Sequence, residues 1–132
     1  MIFIDSNIPM YLIGAAHPHK SDARRLLERF VADKTPMVTD VEVFQEILHR
    51  YTAINRPEHI RPAFDVLMGL TEEVLSIERS DVERARDLIL GKRKMSARDA
   101  IHVAVMERHA IKRVMSFDSD FDNIPGLTRI HS

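Results

Sequence analysis

Short runs of strand-forming apolar residues alternate with longer stretches of helical periodicity along this chain, and that alternation restricts its fold more than any other feature. The runs are Ile2-Phe3-Ile4, Met37-Val38-Thr39, Val74 to Ile77, Arg113 to Ser116 and Leu127 to Ile130. Between them the periodicity predicts helices over 8–14, 22–33 and 41–54, then from Pro57 to Met68, Ser80 to Leu90 and Ser96 to Ala110. Strands separated by helices of this length predict parallel βα units. The expected class is therefore α/β: a three-layer α/β/α sandwich around a mainly parallel sheet of four to five short strands. A chain of 132 residues suits one domain over 1–132 with one core.

Composition excludes several functions. With no cysteine there are no disulfides and no thiolate metal sites. Basic and acidic residues number 19 and 20, so no overall field draws the chain to nucleic acid, and any such binding needs a local patch. No apolar run approaches the roughly 20 residues of a membrane span. Met1-Ile-Phe-Ile-Asp5 lacks the basic residues that open a signal peptide, so a cytoplasmic location is expected.

The chemistry is in the carboxylates. Asp5 follows the first strand, and ligands of open α/β sheets bind outside the carboxyl ends of strands. On its own, Asp5 is equally explained as a helix cap ahead of Pro9. Glu42 and Glu46 share a helix face after the second strand. There Glu42 reads as solvated, and Glu46 lies deeper in an apolar stretch. Asp99 begins a helix that is apolar nearly all round, hence buried. Ser96 and Asp99 also have capping spacing, as do Ser80 and Glu83. Asp118 and Asp120 follow the fourth strand, with Asp122 expected to face solvent, although Asp-rich loops are most often turns. If Asp5, Glu46, Asp99 and Asp118 converge, two carboxylates about 4 Å apart repel by roughly 4 kcal/mol at an effective dielectric near 20. Such a cluster binds protons or a hard cation, and a cation with open positions equips a site for phosphodiester hydrolysis.

Ile4-Asp5-Ser6-Asn7, Val43-Phe44-Gln45-Glu46, Ser96-Ala97-Arg98-Asp99-Ala100, Ser116-Phe117-Asp118 and Ile124-Pro125-Gly126 occur in an order and spacing that resemble a PIN-domain protein, specifically a VapC-type toxin. The resemblance covers essentially the full length. It implies a PIN-like fold and a Mg²⁺- or Mn²⁺-dependent endoribonuclease that cuts RNA with a metal-activated water. Asp5, Asp99 and Asp118 match metal-ligand positions, and Glu46 matches the acid that ligates or orients water. Asp120 and Ser116 are accessory candidates, Ser116 standing where the family usually has threonine. The resemblance also implies a small antitoxin partner and a homodimer. With Asp5 assigned to metal, capping is left to Ser6 and Asn7.

Lys92, Arg93, Lys94 and Arg98 form a basic cluster ahead of Asp99 and are the RNA-backbone candidates. Tyr11 and Tyr51 are candidates to stack on an unpaired base. His102 lies one turn after Asp99 on the same face and is a candidate to touch the site. A zinc site is not expected, because no paired histidine ligands accompany the missing cysteines. The competing readings are a protein-interaction module that has lost chemistry and an RNA-processing nuclease that is not a toxin. A phospho-acceptor fits worse, since Asp5-Ser6-Asn7 lacks the second aspartate of an Asp-x-Asp pair.

Overall fold

The computed structural model describes residues 1–91 and 94–132. In order they form β1 (Ile2–Ile4), α1 (Asn7–Ile13), α2 (Pro18–Ala32), β2 (Met37–Asp40), α3 (Val41–Ala53), α4 (Ile60–Leu70), β3 (Glu73–Leu75), α5 (Arg79–Leu90), α6 (Ala97–Arg108), β4 (Arg113–Met115) and β5 (Thr128–Ile130). Short 3-10 turns occupy Pro57–His59 and Ser119–Phe121.

The five strands make one sheet in the order β3-β2-β1-β4-β5, parallel at every pairing. The chain therefore builds outward from β1 on one side, then returns to place β4 on the other. Strand order reverses between β1 and β4, where the crossovers diverge and leave a crevice at the strand ends. Right-handed crossovers put α1 to α4 on one face and α5 and α6 on the other. Consistently, α1 packs against α2 and α4, α3 against α4, and α5 against α6. This is the sandwich that the alternating pattern predicts.

Burial explains the composition of the central pieces. β1 is buried along its whole length, which is why it is a continuous Ile-Phe-Ile run rather than an alternating one. In α6, Ala100 and every residue from His102 to Met106 are buried, so the helix has little polar face.

Local details differ from expectation in several places, among them the segment expected as one helix from Pro57 to Met68, which is a 3-10 turn at Pro57–His59 followed by α4 running through Gly69 to Leu70. Helix α2 begins at Pro18 instead of residue 22, because the His17 side chain accepts the His19 N–H and Pro18 suits a first helical turn. Strand β3 covers Glu73–Leu75 rather than 74–77, since pairing with β2 runs from Val38 opposite Glu73 to Asp40 opposite Leu75. Ser80 does not cap α5. The cap lies two residues earlier, at Glu78, and the Asp81 carboxylate accepts the Glu78 N–H at 2.8 Å. Asp81 wins that place because Arg108, on α6, grips it with two bonds of 2.9 Å. Finally, Ser6 precedes α1 but makes no capping bond, and Asn7 is inside the helix. Both side chains are used elsewhere.

Candidate active site

Asp5 leaves the end of β1 at the point where strand order reverses. Its backbone N–H donates to the Met115 carbonyl at 3.1 Å, so the ends of β1 and β4 are held level. Ser116, the residue after β4, donates its hydroxyl to Asp5 Oδ2 at 2.6 Å. The same hydroxyl oxygen accepts the Asn7 amide and the Asp118 N–H, each at 3.0 Å. Asn7 in turn accepts the Phe117 N–H through Oδ1 at 3.2 Å. Ser116 and Asn7 thus lace the two strand ends together and fix the direction of both Asp5 and the 116–118 turn.

A second chain of bonds reaches across to α3. Ser6 Oγ donates to Glu46 Oε2 at 2.7 Å, while Glu46 Oε1 lies 2.5 Å from His102 Nε2. His102 Nδ1 lies 2.8 Å from Asp40 Oδ2, and Asp40 Oδ1 caps α3 by accepting the Val43 N–H. A carboxylate only accepts, so both ring nitrogens donate and the imidazole is doubly protonated. Burial opposes that charge, but Asp40, Glu46 and Asp5 hold the pKa of His102 well above its usual value. Burial alone would also raise Glu46, yet the bond and charge of His102 and the Ser6 hydroxyl bring it below the ordinary range. Glu46 is a fixed anion.

Asp99 has a different environment. Ser96 caps α6 by accepting the Asp99 N–H at 3.1 Å, so the expected capping is present, but it uses the backbone and leaves the carboxylate free to act. No described residue donates a hydrogen bond to that carboxylate. Burial, then the negative charges of Asp5 and Asp118, push its pKa up to about 7. Asp5 is raised as well, by burial and then by Glu46, against the charge of His102 and the Ser116 bond.

The acids assemble as two adjoining groups. Ligand atoms of Asp5, Glu46 and His102 lie within 4.8 Å of one another, as do those of Asp99, Asp118 and Asp120. Asp118 Oδ1 also caps the following turn through the Asp120 N–H, so turn-making and clustering coexist. Asp122 is exposed and pairs with Arg129. His102 touches the site as an internal counter-ion with both nitrogens engaged, which removes it as a metal ligand in this arrangement. Tyr51 is buried against His59 and presents little surface for stacking. Lys94 and Arg98 are exposed, whereas Lys92 and Arg93 lie outside the described residues.

Four residues escape a reading of the sequence. Asp40 looks only like a helix cap, although it ends β2 just as Asp5 follows β1. Ser6 and Asn7 look like caps but bond residues about 40 and 110 positions away. Glu42, read as solvated, is half-buried, and burial followed by the charges of Glu46 and Asp40, against the attraction of His102, raises its pKa.

The donor chemistry fits a hard divalent cation. Carboxylate oxygens such as those of Asp99, Asp118 and Asp120 in one group and Asp5 and Glu46 in the other are the ligands Mg²⁺ and Mn²⁺ prefer, and thiolate is absent. Comparison with known proteins identifies the family. The sequence pattern of the PIN domain matches residues 2–127. Ribonuclease VapC13 of Mycobacterium tuberculosis is 59% identical over 130 residues, covering 98% of this chain and 99% of that one. The crystal structure of Mycobacterium tuberculosis VapC20, a Sarcin-Ricin loop cleaving toxin, superposes with a TM-score of 0.81 at 22% identity over the full length of both chains. A toxin–antitoxin complex from Klebsiella pneumoniae contains a chain that superposes with a TM-score of 0.67 at 20% identity, covering 97% of this chain and 96% of that one. The chain belongs to the PIN-domain family, among its VapC ribonucleases.

Proposed function

We propose that this protein is a divalent-cation-dependent endoribonuclease and the toxin of a toxin–antitoxin pair. The observation that carries the metal dependence is Asp99: a carboxylate 6% exposed, without a described hydrogen-bond donor, facing Asp5 and Asp118. Asp5, Asp99 and Asp118 would hold the ion, with Asp120 at the open edge. When bound, Mg²⁺ or Mn²⁺ supplies charge neutralisation at a phosphate and lowers the pKa of water.

The remaining roles belong to the chain itself. Glu46 stays ionised because His102 and Ser6 bind both its oxygens, so it is positioned to orient a water or accept its proton. Asp40 anchors His102, making the Asp40–His102–Glu46 series a brace rather than a proton source. Ser116 and Asn7 hold Asp5 in place. The antitoxin is expected to cover this acidic crevice, and a homodimer is the expected oligomer; both follow from the family. No described helix is long and apolar enough to cross a membrane.

The test is cleavage of single-stranded RNA by purified protein in Mg²⁺ or Mn²⁺. EDTA, Asp5→Asn and Asp99→Asn should each abolish it. Undiminished cleavage by both variants would overturn the assignment.

A further inference from the structure

A cleft of about 750 Å³ opens directly off the acidic crevice, beginning at Ser6, Asn7 and Glu46 and running between α1 and α3 to the Pro57–His59 turn. Its size is that of a small-ligand site rather than of a surface able to seat a duplex. Its charge is the opposite of the crevice. Arg50, Arg56 and Arg98 line it together with His17, His49 and His59, and among the described residues Glu46 is its one acidic lining residue. The protein as a whole carries a formal charge of −1, so this concentration of cations is local. All three arginines are exposed, and none forms an ion pair with a described residue.

One wall is also stiffened by rings. Tyr11 is half-buried, with its ring 4.9 Å from His17, 5.1 Å from His19 and 5.5 Å from Phe117. Phe117 is the residue between Ser116 and Asp118, and His19 stacks on it at 4.1 Å. The cluster thus ties the cleft wall to the turn that carries Asp118. At the far end, Tyr51 stacks on His59 at 5.3 Å and fixes that imidazole.

We infer that this cleft is the track for single-stranded RNA on one side of the phosphate to be cut, with Arg50, Arg56 and Arg98 contacting backbone phosphates and Tyr11 offering a face to a base. The inference rests on the ribonuclease assignment for its ligand, and on the continuity of the cleft with Glu46 for its direction. Phosphates on the track would be held at the cationic side while the scissile one reaches the acids. Arg98 belongs to the basic cluster expected from the sequence, whereas Arg50 and Arg56 come from a region with no such signal. Phosphate contacts fix register without reading bases, so any sequence preference would come from the ring-lined wall.

The experiment measures binding separately from cleavage. Fluorescence anisotropy of a labelled single-stranded RNA of mixed sequence is followed against salt, in EDTA so that the strand stays intact. The variant Arg50→Gln/Arg56→Gln should lower the slope of log affinity against log salt by about 1.4, at about 0.7 for each phosphate of a single strand that is no longer neutralised. Arg79→Gln, an exposed cation on α5, should leave the slope unchanged. In cleavage assays the double variant should raise KM and leave kcat as in the wild type. Unchanged slope and unchanged KM would overturn the track while leaving the nuclease standing. A reduced slope in a protein that never cuts RNA would keep the track and remove the nuclease. Binding of an acidic peptide that does not displace RNA and is lost in the same variant, with RNA affinity intact, would assign the cleft to a protein partner and reject the RNA track.

Discussion

Asp81 and Asp99 invite direct comparison, because each lies in the first turn of a helix, the two helices pack together, and both side chains are almost fully buried, at 2% and 6% exposure. Their surroundings differ completely. Burial would raise the pKa of Asp81, but two bonds from Arg108, the Glu78 N–H and the Arg108 charge hold it below the usual range. Asp99 has no such donor among the described residues, and Asp5 and Asp118 add to burial to lift it to about 7. Similarly low exposure therefore accompanies a structural ion pair in one helix and an unneutralised charge in the other. Burial alone does not mark a functional carboxylate; uncompensated charge at a crevice does.

The sharpest way to break the comparison is to neutralise each aspartate. Asp99→Asn should reduce RNA cleavage by roughly a hundredfold or more, since even residues that merely support metal ligands are worth about 10–100-fold. Asp81→Asn should leave kcat/KM unchanged and cost about 1.5–3 kcal/mol of stability, the range for hydrogen bonds to a charged group. The figure stays below that of a fully buried pair because Arg108 is one-third exposed and can turn to water. Denaturant titration and initial-rate measurements separate the two outcomes.

Cation binding should divide them next. At about a hundredfold excess over its Kd, Mn²⁺ should stabilise the wild type and Asp81→Asn by about 2.7 kcal/mol, and Asp99→Asn by far less. Equal shifts in all three proteins, read as melting temperatures, would place the ion away from Asp99.

The pH dependences have opposite signs. Asp81 has a depressed folded-state pKa, so its contribution is complete above its ordinary value of 3.8 and disappears as pH falls through the folded value. Asp81→Asn should thus flatten the stability loss below about pH 4. For Asp99 the folded pKa is raised, so its penalty is absent below 3.8, grows with pH and is complete above about 7. In EDTA, Asp99→Asn should melt higher than wild type above about pH 7 and gain nothing below about pH 4.

The smallest effect concerns two serines with the same sequence spacing. Ser96 caps α6, so Ser96→Ala should cost about 1 kcal/mol. Ser80 makes no capping bond, and Ser80→Ala should change stability by less than about 0.5 kcal/mol. A reversed order would mean that the caps are assigned to the wrong residues.

Much of this molecule was determined by local pattern. Strand-forming runs alternating with helical periodicity specify parallel βα units, because side-chain period and length decide which element a segment forms and which face it buries. The same pattern places Asp5 and Asp118 beyond strand ends and Asp99 in the first turn of a buried helix. The tertiary structure alone decided what each polar side chain touches. Ser6, Asn7 and Asp40 look like caps, yet Ser6 and Asn7 bond other segments and Asp40 combines its cap with a grip on His102 from 62 positions away. The apolar run after Asp99 marks its helix as buried, but nothing within a few residues of Asp81 or Asp99 shows which charges either carboxylate meets. Arg108 reaches the first only once α5 and α6 pack together, and Asp5 confronts the second only once α6 docks on the sheet. Electrostatic energy depends on those through-space distances, not on position along the chain.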